Sequence, residues 1–177
     1  MKALIVSDTH GRHENFERVL KKVGEVDMVI HAGDVEEEEE YFQKKVSQLS
    51  CDGRPVELHM VRGNCDTFTE LPANDVFMFG ERMVFLAHGH RYFVGGGCGE
   101  LADAAETNGC DIAIYGHTHV PDYHSENGIT VINPGSLERP RQDGRRPSFA
   151  LMELDSRGNL LVSICLLGAD GNIIVCR

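Results

Sequence analysis

Asp8, His10, Asp34, Asn64, His88, His117 and His119 each follow the end of a short apolar run, within Asp8-Thr9-His10, Gly33-Asp34, Gly63-Asn64, Ala87-His88 and Gly116-His117-Thr118-His119. Asp, His and Asn present the oxygen and imidazole donors that suit Mn²⁺, Fe²⁺, Zn²⁺ or Ni²⁺. A carboxylate has two oxygens and can bridge two cations, whereas an imidazole nitrogen binds one. Asp34 is therefore assigned as the bridge, with Asp8, His10 and His119 completing one ion and Asn64, His88 and His117 the other. Two cations about 3.5–4 Å apart can generate a hydroxide nucleophile near neutral pH and clamp a phosphoryl group during in-line displacement.

Local spacing agrees with this reading. Asp8 and His10 are two residues apart, as are His117 and His119, and in extended backbone such a pair projects to one side. The neighbouring Gly33, Gly63, Gly89 and Gly116 permit sharp turns and close approach of backbone to an ion. His88-Gly89-His90 offers two imidazoles where one is needed. His88 follows directly on a strand and is the better ligand, while His90 is either the alternative ligand or a hydrogen-bonding group for substrate. His13, His31, His59 and His124 have no partner motif and read as surface or core histidines.

These groups need elements to hold them. Strands are expected at Lys2 to Ser7, Asp27 to Ala32, Val56 to Val61, Met83 to Ala87, Asp111 to Tyr115 and Ile129 to Ile132. Helical spacing of Phe16, Val19, Leu20 and Val23 places a helix over Arg12 to Val23, and Ala-rich Leu101 to Glu106 predicts another. The acidic run Glu36 to Glu40 opens a segment with Phe42, Val46 and Leu49 on one face, and reads as a solvated helix start. Each ligand group stands at the carboxyl end of a strand, where α/β sheets bind ligands, and strands side by side in one sheet would gather them. Three C-terminal runs, Ser148 to Leu154, Leu160 to Leu167 and Ile173 to Cys176, suggest an antiparallel meander. Gly95 to Gly99 and Leu137 to Arg146 are expected to be the most mobile segments.

The 177 residues fit a single domain, residues 1–177, with 41% hydrophobic and 25% charged content typical of a globular protein. The formal charge of −11 argues against bulk duplex nucleic acid as a partner. Two divalent cations would oppose that field locally, so the overall acidity does not exclude a small anionic substrate at the metal site. No stretch resembles a membrane span, and the first apolar run is too short for an export signal. Six cysteines without C-x-x-C spacing read as reduced thiols, which places the chain in the cytoplasm. The oligomeric state is open, and a homo-oligomer is compatible with the sequence.

The order D-x-H, G-D, Gly63-Asn64-Cys65-Asp66, H-G-H, G-H-T-H and Asn133-Pro134-Gly135-Ser136 resembles the calcineurin-like metallophosphoesterase superfamily, in particular its small YfcE-like phosphodiesterases. The resemblance implies an α/β fold: a four-layer α/β/β/α sandwich of two mixed sheets flanked by helices. It also implies a binuclear, usually Mn²⁺, centre that hydrolyses phosphoesters, often phosphodiesters. Many members carry a histidine after the motif asparagine that protonates the leaving group, and here that position is Cys65. A thiol is a poor replacement unless its surroundings shift it, and Cys65 could equally be an inert small residue. Leaving-group protonation then falls to water, Asp66 or His90, or is dispensable for a weakly basic leaving group, so aryl phosphodiesters should be better substrates than alkyl monoesters. Arg139, Arg141, Arg145 and Arg146 either contact substrate phosphate or form a solvated loop.

Two alternatives stand beside this reading. A non-catalytic interaction module on the same fold, as in the related retromer subunit, would not need all seven donors. A mononuclear zinc hydrolase needs three protein ligands and an open position, and would leave several donors without a role.

Overall fold

Strand β1 (Lys2–Val6) sends its side chains alternately into two cores, Leu4 and Val6 to one side and Ala3 and Ile5 to the other. A strand buried on both faces has no polar position to spare, which is why it reads as a near-continuous apolar run. In the computed structural model, which describes residues 1–36 and 38–176, β1 leads to helix α1 (Glu14–Val23) and strand β2 (Met28–His31). Helix α1 carries Glu14 and Glu17 in its first turn and Lys21 and Lys22 in its last, complementing the helix dipole. Helix α2 (Glu39–Val46), the hairpin β3 (Ser50–Cys51) and β4 (Arg54–Pro55), and strand β5 (Glu57–Met60) follow. Then come β6 (Asn74–Phe79), β7 (Arg82–Ala87), a short 3-10 turn at His90–Tyr92, α3 (Gly99–Thr107) and β8 (Ile112–Ile114). Strands β9 (Asp122–Glu126), β10 (Ile129–Asn133), β11 (Ser148–Leu154), β12 (Leu160–Leu167) and β13 (Ile173–Cys176) complete the chain.

The strands form two large mixed sheets. One has the order β13-β12-β11-β1-β2-β5, the other β6-β7-β8-β10-β9. In the first, β1, β2 and β5 are parallel and the C-terminal strands form the expected antiparallel meander. In the second, β7, β8 and β10 are parallel, with antiparallel edges β6 and β9. Ile5, Met28 and Ile30 pack against Leu86, Ile112 and Ile132 between the sheets. Phe16, Val19 and Phe42 from α1 and α2 cover the outside of the first sheet. Leu101, Ala102 and Ala105 from α3 cover the second. Three cores between four layers give the α/β/β/α sandwich.

Several local expectations are corrected. Ligand-bearing strands do not lie side by side in one sheet: β1, β2 and β5 belong to the first, β7 and β8 to the second. Helix α2 starts at Glu39, after Glu36 has entered a turn with φ 49°, while Glu37 lies outside the described residues. Leu49 falls beyond the end of α2 yet still packs on its core. The glycine-rich stretch ends inside structure, since Gly99 opens α3 and Cys98 is buried. Among the described residues, no helix is long and apolar enough to cross a membrane.

Candidate metal centre

Strands β1, β2, β5, β7 and β8 end at one rim of the sandwich, and the seven ligand candidates lie on the turns after them. Asp8, His10, Asp34, His117 and His119 all have positive φ, between 47° and 67°. The backbone there is left-handed rather than extended, so the side chains converge because of tight turns and not through strand alternation. Such conformations cost on the order of 1–3 kcal/mol each and persist where surrounding structure enforces them. Two glycines allow the turns to touch. A Cβ on Gly63 would collide with the Asp34 carboxylate, and one on Gly116 would collide with Ser7 Oγ and lie 2.9 Å from Asp8 Oδ2.

Asp8, His10, Asp34 and His119 are buried and bring one ligand atom each within 4.8 Å of the others. The hydrogen bonds around them fix the protons. His119 Nδ1 donates to Arg139 O at 2.6 Å, and His10 Nδ1 donates to the Glu36 carboxylate at 2.5 Å. Both rings therefore keep a lone pair on Nε2 in the neutral form, and those two atoms lie 3.3 Å apart. Asp8 Oδ2 accepts from His117 N, while Oδ1 is buried without a hydrogen bond, 3.1 Å from His119 Nε2. Lone pairs facing one another and an orphaned carboxylate oxygen repel in a low dielectric. A cation relieves every one of these contacts, so this donor set fits a metal ion.

The second half is more open. His88 is buried and donates Nδ1–H to Ala32 O at 2.6 Å, leaving its Nε2 lone pair 3.1 Å from Asn64 Oδ1 and 3.5 Å from Asp34 Oδ1. His117 Nδ1 lies 2.8 Å from the same Asn64 oxygen, and Asn64 is exposed. Asp34 faces both halves, with Oδ1 toward His88 and Oδ2 at 3.9 Å from His10 Nε2. Burial raises the Asp34 carboxyl, but hydrogen bonding and charge from His88 and the Cys65 amide outweigh it and hold the group well below the usual carboxylate range. Burial lowers His88, and Asp34 and Asp8 reverse that to leave it raised. His90 forms no bond to these groups, its ring centroid lying 5.4 Å from that of His88 and 6.1 Å from that of His117. Its buried Nδ1 has no hydrogen-bond partner.

Four supporting residues were not identified from the sequence as parts of the site. Glu36 orients His10 and lies 3.7 Å from the Arg139 guanidinium. Asn133 Nδ2 donates to Gly116 O and Thr118 Oγ1, bracing the turn that carries His117 and His119. Ser136 Oγ donates to Asp8 O and accepts from Arg139 N, tying the loop that receives the His119 proton to the first strand turn. His31, as a core histidine, accepts from Gly33 N at Nδ1 and therefore donates Nε2–H to Thr9 Oγ1. The Asn133-Pro134-Gly135-Ser136 motif was the one available signal, and its bracing role depends on contacts between distant segments.

The remaining candidates differ in what their neighbours allow. Both Asp66 oxygens are taken by backbone amides, from Gly63 and Glu36, each at 2.7 Å. Burial, a hydrogen bond to Asp34 and nearby carboxylates push the Cys65 thiol up to about 12, so it stays protonated. Arg139 and Arg141 use backbone atoms to hold His119, whose carbonyl accepts from Arg141 N. A cleft of about 610 Å³ opens beside Cys65, lined by Glu36, Glu40, Asp66, Phe68 and Thr69 among others.

Residues 1–157 match the model of the calcineurin-like phosphoesterase superfamily domain. A Mycoplasma pneumoniae protein named "Probable metallophosphoesterase" is 34% identical over 165 residues, 90% of this chain and 92% of that protein. Vps29 of Entamoeba histolytica complexed with Zn²⁺ overlays with TM-score 0.78 at 25% identity, covering all of this chain and 98% of that one. The Escherichia coli phosphoesterase YfcE shares the fold with TM-score 0.65 at 23% identity, over 98% of this chain and 97% of that one. The sheets and helices described above are those of a shared fold, and the chain belongs to the calcineurin-like phosphoesterase superfamily.

Proposed function

We propose that the protein is a di-metal phosphodiesterase with a small phosphoester substrate, and that Mn²⁺ is its preferred ion. The observation that carries this reading is the buried, unbonded Asp8 Oδ1 facing the Nε2 lone pairs of His10 and His119. Asp8, His10 and His119 would hold one ion, Asn64, His88 and His117 the other, with Asp34 between them. When bound, two such ions supply a hydroxide nucleophile and neutralise charge on the phosphoryl group.

The chain's own residues govern proton supply and substrate fit. Cys65, its thiol pushed up to about 12, is a weak proton donor near neutral pH. Asp66 is committed to backbone amides and organises two loops rather than moving a proton. His90, whose ring lies beside those of His88 and His117, would hydrogen-bond substrate. The carboxylates of the adjoining cleft disfavour a polyanionic strand and favour a compact substituent that can lie on Phe68. Six unpaired thiols support the expectation of a reducing compartment, the cytoplasm.

Leaving-group basicity therefore decides the rate. With Mn²⁺ added, an aryl phosphodiester such as bis(p-nitrophenyl) phosphate should turn over faster than an alkyl monoester, and a monoester preference overturns the diester assignment. The zinc-bound Vps29 neighbour supports a second reading, a metal-binding interaction module. Absence of turnover on both ester classes by protein that retains two ions per chain would favour it.

A further inference from the structure

Edge strand β9 carries Asp122, His124 and Glu126 on alternate positions. Its register sets His124 opposite Val131 and Glu126 opposite Ile129 of β10. Both partners belong to the core beneath α3, so these three polar side chains point into the same layer as α3. Cys98, the residue that precedes α3, reaches that patch with a buried thiol. A Cys98 sulfur, an Asp122 oxygen and a His124 nitrogen lie within 4.8 Å of one another.

The surroundings of this trio have the features of an ion site. Asp122 Oδ2 is 2.8 Å from His124 Nδ1 and accepts from the buried Tyr115 hydroxyl at 3.0 Å, an orienting contact of the kind that supports metal ligands. Glu126 Oε2 stands 3.7 Å from the other nitrogen of His124. Burial pushes the Cys98 thiol up, the Tyr115 hydroxyl opposes this in part, and the Asp122 and Glu126 charges add to it, a cost that a bound cation would offset. Zinc takes thiolate at about 2.3 Å and imidazole or carboxylate at about 2.0–2.2 Å, a radius these three atoms can enclose with small closure.

The geometry points to a mononuclear zinc site formed by Cys98, Asp122 and His124, separate from the rim centre and structural in role. A fourth position is left for water, while Glu126 faces the other nitrogen of the His124 ring. Such an ion would fasten the glycine-rich turn before α3 to the free edge of the second sheet. On binding, the Cys98 sulfur loses its proton to solvent and the ion takes its place.

The test uses the full chain, stripped of metal by chelation and reloaded with Co²⁺ or Zn²⁺. Wild type should show a Co²⁺–thiolate charge-transfer band and bind one more zinc per chain than Cys98→Ser. The band should vanish in Cys98→Ser and persist in Cys65→Ser and Asp34→Asn, with phosphoesterase activity of Cys98→Ser unchanged. If Cys98→Ser fails to fold, the half-exposed His124→Asn serves instead, with the same loss of one ion expected. Equal zinc content in wild type and variant, or a band that disappears with Cys65 instead, overturns the assignment.

Discussion

The two halves of the rim centre differ in access. Asp8, His10, Asp34 and His119 are sealed from solvent and held by Glu36, Arg139 and Ser136, whereas Asn64 and His117 meet solvent at the mouth. The buried half concentrates unbonded lone pairs, and the open half contains contacts such as His117 to Asn64 that are satisfied by themselves. With ions bound as proposed, the sealed half would retain its ion and the open half would exchange its own.

Asp34 serves both halves, so its loss should be felt most. Asp34→Asn removes the bridging charge and should abolish both ions and lower activity by more than the roughly 100-fold typical of an outer-shell change, read by metal content and turnover together. Full activity with two ions would refute the bridge. His117→Ala touches only the open half. It should lose one ion, drop activity by about 10–100-fold at limiting Mn²⁺, and recover partly in excess Mn²⁺. Loss of both ions would erase the distinction between the halves.

The smallest effect concerns the pillar beneath the buried half. Burial lowers His31 from 6.5 to about 4, and its neutral form accepts from Gly33 N, which a protonated ring cannot do. The unfolded chain therefore binds the proton first, so this stability is present above pH 6.5 and is lost as pH falls toward 4. The loss is on the order of 3 kcal/mol. Urea unfolding of chelated protein between pH 7.5 and 4 should show a shallower acid loss for His31→Gln than for wild type. Parallel pH profiles would remove His31 from the explanation.

The candidate residues that gather at the rim were legible because motif order and residue chemistry are local properties. Its geometry was not: left-handed turns at Asp8, His10, His117 and His119 replaced the extended pairs that spacing alone suggests. Glu36 was hidden in a run of glutamates that reads as a solvated helix start, and only its meeting with His10, from another strand turn, distinguishes it. Strand β6 escaped notice because Val76 and Met78 expose apolar side chains where alternation predicts polar ones. Strand β9 had no apolar face to detect, since Asp122, His124 and Glu126 occupy its inward positions. The four-layer arrangement came from family resemblance, and the three cores supply its physical basis.

Because donors hang from both sheets, bound ions would act as a rivet through one end of the sandwich. Chelation should then loosen the molecule unevenly: amide exchange would quicken first in the turns after β1, β2 and β8, while the meander β11-β12-β13 kept its protection.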